Sequence, residues 1–272
     1  FCGVAAMPGF DSESPLKQRG LTLEEAADAV GAAARALREQ SQRPPGAAPA
    51  QLSLVLHDWG SFFGFAWANR SLGEGGGVVS KVVCFDVAPP PPSSMRAAAA
   101  AHAPASSRYP PEPGLLRRAY RGFVLVLYQL ILAASYWAGP RAGQLLLEAG
   151  LAVLASPAGR VLSPVGPTEV PPRDPREVRW HMSYPYYYVW AAILGGRALR
   201  RGSVIRSYRL LPGVPTLLVY GSDKNASFHT TRTLRALDGS PGSGWRALPG
   251  GHWVMQNHPE AAAQMACDFI LP

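Results

Sequence analysis

Short, almost wholly apolar runs alternate with helical patterns at both ends of the chain. The apolar runs that predict strands lie at residues 1–10, 51–57, 78–87, 215–221 and 245–248. The helical patterns lie at residues 21–40, 62–70, 230–237 and 258–270. Because short apolar runs are typical of strands buried on both faces, the alternation predicts a mostly parallel α/β sheet.

The middle of the chain lacks this alternation. Residues 88–114 are low-complexity sequence rich in Pro, Ala and Ser, which is typical of a surface insertion. Residues 115–211 are helical in pattern and rich in Arg. We therefore predict an α/β core that is interrupted by a helical segment, with the three parts at residues 1–88, 89–212 and 213–272.

The charge of the chain is concentrated in the middle segment. The 272 residues include 26 Lys+Arg and 18 Asp+Glu, which gives a net charge of +8. Residues 89–212 contain 15 Arg, no Lys and five acidic residues, so the rest of the chain is slightly acidic. No basic and aromatic nucleic-acid motif accompanies this charge, so we expect no nucleic-acid partner. The Arg residues instead favour an anionic membrane surface or an acidic lipid.

The three cysteines, Cys2, Cys84 and Cys267, are widely spaced, and no CxxC pair occurs. This pattern indicates neither a zinc site nor a disulfide framework, so we expect no metal. It favours reduced, buried thiols and an intracellular protein, either cytoplasmic or membrane-associated.

A catalytic nucleophile is predicted where the run at 51–57 passes directly into a helical pattern through HDWGS. In a nucleophile elbow, the residue on such a strand-to-helix turn stands at the carboxyl edge of the sheet. The tip residue here is Asp58. A carboxylate suits attack on an sp3 carbon, which forms an alkyl-enzyme ester that water then hydrolyses.

A base for that hydrolysis is predicted at His252, a histidine next to two glycines between the last strand and the last helix. The chain order, with the nucleophile first and the base last, is the order of such sites. An isolated Asp or His is more often a cap or a loop residue. Here the Asp and the His both lie at boundaries between predicted elements, and this combination favours a catalytic role.

The segments VLHDWGSFFGFAWANR and GGHWVMQNHPE resemble the nucleophile and histidine motifs of the epoxide hydrolase and haloalkane dehalogenase branch of the α/β-hydrolase fold. MPGF near the start resembles the turn after that fold's fourth strand. The resemblance implies an α/β-hydrolase core without its first three strands and its HGxP loop. It also implies that residues 89–212 form a helical cap, and that no cofactor is used.

The resemblance offers two positions for the acid that orients the base. Asp86 lies after the strand that follows the nucleophile helix, and Asp223 lies after the first strand beyond the cap. Relatives that use the second position normally carry the acid three residues after the glycine that ends this strand. Here Lys224 occupies that position, three residues after Gly221, so we favour Asp86 and keep Asp223 as the alternative.

Aromatic residues are the candidates for substrate binding. Epoxide hydrolases resembling this chain use cap tyrosines to hydrogen-bond the epoxide oxygen, and the segment YPYYYVW lies in the predicted cap. Helical spacing puts Tyr184 and Tyr188 on one face, with Tyr187 beside Tyr184. We predict that one or two of these and Trp59 line the site. In a dehalogenase, Trp59 would line the halide site, but the three consecutive tyrosines favour an epoxide.

Residues 122–139 form an uncharged run of 18 residues that follows Arg117, Arg118 and Arg121. This length is the lower limit for a membrane-spanning helix. We favour a cap helix buried against the core. The alternatives are a spanning helix and an apolar entrance docked on a membrane surface.

Three functions follow as hypotheses. The first is an epoxide hydrolase acting on a small apolar substrate, and the second is a haloalkane dehalogenase with the same roles for Asp58 and His252. The third is an inactive or membrane-associated α/β-hydrolase-like fragment.

Overall fold

The computed structural model of the chain describes residues 3–4, 10, 20–41, 50–73, 77–101, 109–110, 114–156, 159, 163, 178–200 and 202–271. Most of the strand expected at residues 1–10, the MPGF turn and Cys2 lie outside these residues.

The described strands form one parallel sheet, which confirms the predicted α/β class. They are β1 Leu52–His57, β2 Val79–Phe85, β3 Thr216–Gly221 and β4 Gly244–Leu248. Their spatial order is β1-β2-β3-β4, and each adjacent pair is parallel. The carboxyl ends of all four strands therefore meet at one edge of the sheet.

Helices surround this sheet and occupy the middle of the chain. They are α1 Leu23–Gln40, α2 Trp59–Gly73, α3 Ser93–Ala101, α4 Leu115–Ala155, α5 Tyr184–Leu194, α6 Val204–Ser207, α7 Thr231–Asp238, α8 Val254–Asn257 and α9 Pro259–Ile270. Short 3-10 helices lie at Trp180–Ser183 and Arg197–Leu199. Within the described part of residues 89–212, every regular element is helical.

The two central strands are buried on both faces, as their apolar runs predict. Val82 and Cys84 of β2 face a core that includes side chains of α2 and α7. Val83 and Phe85 face the opposite core, which α9 completes. Successive side chains of a strand point to opposite faces, so one apolar run supplies both cores.

Strand β1 differs from the prediction of burial on both faces. Its burial alternates, and Val55 is 56% exposed. β1 is the edge strand of the described sheet, and on one of its faces Leu52, Leu54 and Leu56 pack against the core. On the covered face, a Cβ at Gly64 of α2 would lie 2.8 Å from Leu56, so a glycine allows the close approach of α2 to β1.

The segment predicted as a surface insertion packs partly against the core. Ala88 and Pro91 are buried, and the carbonyl of Pro90 accepts a hydrogen bond from the Leu210 amide at 3.2 Å. Residues 93–101 form α3, which packs on α7. Residues 88–91 are thus part of the core, because Ala and Pro are small apolar residues that can pack as well as link.

Helix α4 runs past the predicted end of the uncharged segment. Gly139 has a φ of 82°, so the helix bends sharply there, just before Pro140. Among the described residues, one helix, Leu115–Leu154, is long and apolar enough to cross a membrane.

The two described cysteines have different environments. Cys84 is buried, and burial raises the pKa of its thiol. Cys267 on α9 is exposed, which corrects the prediction that the thiols are buried.

Candidate active site

Asp58 stands on a strained turn between β1 and α2. Its φ is 48°, a left-handed conformation that is uncommon for residues other than glycine. Its carbonyl accepts hydrogen bonds from the amides of Ser61 at 2.9 Å and Phe62 at 3.3 Å, so the first turn of α2 begins at this residue. The side chain is 36% exposed, so its carboxylate is accessible to a small molecule.

The structure brings His252 and Asp86 together below this turn. The Nδ1 atom of His252 lies 2.6 Å from Oδ2 of Asp86, and both side chains are buried. The Nε2 atom of His252 lies 3.8 Å from Oδ1 of Asp58, which is beyond hydrogen-bond distance. A neutral imidazole that donates its Nδ1–H to Asp86 presents an unprotonated Nε2 on the side of Asp58.

Lys224 adds a cation to this cluster that the sequence analysis did not assign to the site. Its buried ammonium group donates to Oδ1 of Asp86. Burial acts to raise the pKa of Asp86, but the His252 hydrogen bond and the charge of Lys224 outweigh it and lower that pKa. Asp86 is therefore held as a carboxylate between a cation and the imidazole.

Asp223, the alternative acid, has a different set of contacts. Its Oδ2 accepts a hydrogen bond from the Gly250 amide at 2.8 Å, and its own amide donates to the Gly250 carbonyl at 2.9 Å. Ser222 donates to its other carboxylate oxygen at 2.8 Å. Asp223 thus braces the loop that carries His252, whereas the bond to Nδ1 of His252 is made by Asp86.

His57, the last residue of β1, supports the His252 loop from the other side. Its Nε2 lies 3.3 Å from the backbone carbonyl of His252, and the two imidazole rings are 4.6 Å apart. Burial, followed by the nearby His252, lowers the pKa of His57 to about 4. His57 is therefore neutral at pH 7 and can donate to that carbonyl. The sequence analysis gave His57 no role, and its position directly before Asp58 in HDWGS is the signal that could have pointed to it.

Tyr186 of α5 is the tyrosine of the YPYYYVW segment whose ring contacts reach the Asp58 turn. Its ring packs edge-on against Trp59 at 4.8 Å, and its hydroxyl lies 3.3 Å from the hydroxyl of Tyr128 on α4. Burial, then Tyr128 and Asp58, raise the pKa of Tyr186 well above its usual value. The phenol is therefore a neutral hydrogen-bond donor close to the carboxylate.

The tyrosines expected at the substrate site have other contacts. Tyr187 and Tyr188 pack with Tyr136 of α4, at ring distances of 5.3 and 6.2 Å. Tyr184 is buried near the same tyrosine, and burial raises its pKa. Helical spacing identified a shared face correctly, but that face packs on α4, and Tyr186 is the one that meets Trp59.

The arrangement couples a strained, accessible carboxylate with a buried imidazole and carboxylate pair. A carboxylate can form an ester with an electrophilic carbon, and a neutral imidazole can accept a proton from water. The polar groups of the site follow the carboxyl ends of four adjacent strands: Asp58 follows β1, Asp86 follows β2, Lys224 follows β3 and His252 follows β4. Ligands of open parallel sheets bind at this edge.

Comparison with solved structures relates the chain to proteins of similar architecture. A haloalkane dehalogenase loop variant from Bradyrhizobium elkanii is 15% identical, with a TM-score of 0.52, and the alignment covers 94% of this chain and 75% of that one. A putative epoxide hydrolase from Klebsiella pneumoniae is 18% identical, with a TM-score of 0.48 over 94% of this chain and 75% of that one. The Cif epoxide hydrolase from Acinetobacter nosocomialis is 15% identical, with a TM-score of 0.47 over 97% and 72%. No protein-family model and no curated protein sequence matches the chain.

Proposed function

Because the chain has the α/β-hydrolase fold, we propose that it is a hydrolase that opens epoxides to diols through an ester on Asp58. The observation that carries the proposal is the chain of contacts from Asp86 through His252 to the side of Asp58, at 2.6 and 3.8 Å. Asp58 is the nucleophile, His252 is the base, and Asp86 orients the base.

In the first step, a carboxylate oxygen of Asp58 attacks a carbon of the epoxide ring. The new carbon–oxygen bond makes an ester, and the ring bond from that carbon to the epoxide oxygen breaks. Negative charge develops on the epoxide oxygen. Tyr186 is the proposed donor to this oxygen, because a neutral phenol in an apolar site stabilises a developing alkoxide. Its hydroxyl lies 3.3 Å from that of Tyr128, a second phenol that can support it.

In the second step, water attacks the carbonyl carbon of the ester. The Nε2 atom of His252 accepts a proton from this water, and Asp86 stabilises the imidazolium that forms. The tetrahedral intermediate then collapses, and the bond between the carbonyl carbon and the alkyl oxygen breaks. The alkyl oxygen leaves with the proton that His252 took from the water and becomes one hydroxyl of the diol. The second proton of that water, left on the Asp58 carboxyl group, passes through Tyr186 to the epoxide oxygen, which becomes the other hydroxyl, and Asp58 is restored as a carboxylate.

The test is to remove the base and trap the ester. The His252→Gln variant, incubated with styrene oxide, should gain the mass of one epoxide per chain, and peptide mapping should locate the adduct on Asp58. The wild-type chain should form diol without accumulating the adduct, because it hydrolyses the ester.

His258→Gln is the matched control, since it makes the same change six positions further along, at a half-buried histidine whose Nε2 lies 2.7 Å from the Pro249 carbonyl. We expect this variant to turn over and to accumulate no adduct. An Asp58→Asn/His252→Gln double variant should stay unmodified. Absence of any adduct on His252→Gln with epoxides and haloalkanes alike would overturn the proposal.

One observation favours a haloalkane dehalogenase as the second candidate. The indole Nε1 of Trp59 is buried, and in the described part of the structure no acceptor forms a hydrogen bond of good geometry with it. The hydroxyl of Tyr186 lies near this nitrogen. An N–H donor beside Asp58 is suited to a halide leaving group. Halide release from a bromoalkane, without diol formation from any epoxide, would decide for this candidate.

A further inference from the structure

Helix α4 carries an apolar stripe on the side that faces away from the protein. The stripe consists of residues spaced by seven: Leu116 is 88% exposed, Phe123 58%, Leu130 44% and Trp137 77%. Seven residues are close to two helical turns, so the four side chains lie along one face over about 30 Å. A row of large exposed apolar residues of this length is unusual on a monomeric protein surface.

The opposite side of α4 accounts for the packing of the helix on the rest of the protein. Val124, Leu132 and Tyr136 are buried there, and Tyr128 on the same side contacts Tyr186. Only 28% of the most apolar window of the helix is buried. The helix is therefore apolar on two sides, and contacts within the chain explain only the inner one. This differs from the buried cap helix that the sequence analysis favoured.

The charges of α4 have one sign over the whole length of the stripe. Arg117 is exposed in its first turn, and Arg141, also exposed, follows the bend at Gly139. The first acidic residue of the helix is Glu148. Between Gly122 and Gly139 there is no charged side chain. The helix is thus basic at both exposed ends and uncharged between them, which complements a surface that is anionic outside and apolar just beneath.

We propose that the outer face of α4 docks on an anionic phospholipid membrane, lying in the plane of the headgroups. The apolar stripe would enter the boundary between headgroups and acyl chains, and the Arg residues would bind the phosphates. Trp137 has the ring that is enriched at this depth. A protein partner fits less well, since each side of a stable protein interface buries a patch of about 800 Å² and a single row of side chains offers less area.

The docking would give the proposed function a substrate class, and this extension rests on that function. Tyr128 on the inner side of α4 borders the Asp58 site, so the outer side puts the membrane about one helix diameter, roughly 10 Å, from the chemistry. Epoxides that partition into lipid would then be concentrated at the entrance.

The test measures membrane binding without any substrate, so its outcome is independent of catalysis. The purified chain is floated with vesicles of phosphatidylcholine alone, and with vesicles in which phosphatidylserine replaces a substantial fraction of it. We expect at least tenfold more protein on the anionic vesicles. Phe123→Glu/Leu130→Glu should lose about tenfold of this binding, and Arg117→Gln/Arg141→Gln should lose the preference for anionic lipid.

Leu271→Glu is the matched control, because it places the same charge on an exposed leucine outside α4. It should bind as the wild type does, and circular dichroism of every variant should show the same helix content. Equal binding to both vesicle types would overturn the proposal, as would unchanged binding of the double Glu variant. The chain could instead fail to bind vesicles and form a dimer. If Phe123→Glu/Leu130→Glu dissociated that dimer, a second copy of the chain would be shown to cover the stripe, and the proposal would be overturned.

Discussion

The ammonium group of Lys224 binds the carboxylate oxygen of Asp86 that His252 leaves free. All three side chains are buried. A cation beside a buried carboxylate favours its charged form, and Lys224 is one of the groups that lower the pKa of Asp86. The ion pair therefore keeps Asp86 ionised as well as holding it in place.

Replacing Lys224 by Met should change the pH dependence of ester hydrolysis. Without the cation, Asp86 loses one of the causes that lower its pKa, so it takes up a proton at higher pH. Only the carboxylate can stabilise the imidazolium, so the acidic limb of the rate profile should move to higher pH. Lys224→Arg keeps the charge and should keep the limb in place. An unmoved limb in a folded Lys224→Met variant would show that the lysine is only structural.

The two candidate acids should respond differently to the loss of their charge. Asp86→Asn should slow ester hydrolysis by about 10³- to 10⁴-fold, because the amide cannot stabilise the imidazolium. Asp223→Asn should slow it by less than about tenfold, since a side-chain amide oxygen can still accept from the Gly250 amide. Single-turnover decay of the trapped ester measures this step directly. Equal losses in the two variants would contradict the assignment of Asp86.

Adjacent tyrosines provide a matched pair for the first step. Tyr186→Phe should slow ester formation with an epoxide by about 100-fold, because it removes the proposed donor to the developing alkoxide. Tyr187→Phe changes the neighbouring residue, which packs against Tyr136, and should slow it by less than about threefold. The rate of adduct appearance in the His252→Gln background gives both values. A larger effect at Tyr187 would move the donor to that residue.

His57 should make the protein less stable as the pH falls. Its pKa is about 4 in the folded chain against 6.5 as the ordinary value, so the unfolded chain binds the proton first. Its contribution to stability is complete above pH 6.5 and is lost as the pH falls toward 4, at up to about 1.4 kcal/mol per pH unit. Urea unfolding at several pH values should show a shallower decline for His57→Gln than for the wild type. His258→Gln, the same change at a half-buried histidine outside β1, should decline as the wild type does.

The sequence could predict the features that local patterns determine. The apolar runs located all four described strands, and the helical pattern at residues 21–40 located the first helix. Asp58 and His252 could be proposed because each lies where one element gives way to the next. Chain order then implied that they share an edge of the sheet.

The contacts that depend on distance in space could not be read from the sequence. Asp86 and Asp223 both follow strands, and only the fold determines which of them meets Nδ1 of His252. The partner of Lys224 is 138 positions away, so no local pattern links it to Asp86. Tyr186 could not be separated from its neighbours, because the choice depends on how α5 is rotated against α4.

The spatial order of the strands has a consequence for how the protein matures. Asp58 follows β1, Asp86 follows β2, Lys224 follows β3 and His252 follows β4, and neighbouring strands contribute neighbouring groups. The helical segment separates the second strand from the third, so their pairing closes a long loop and is expected to be slow. Catalytic competence should thus be the last property to emerge during refolding, after helix content and compactness have returned. A nascent chain would lack the proposed hydrolase activity until its final strand has joined the sheet.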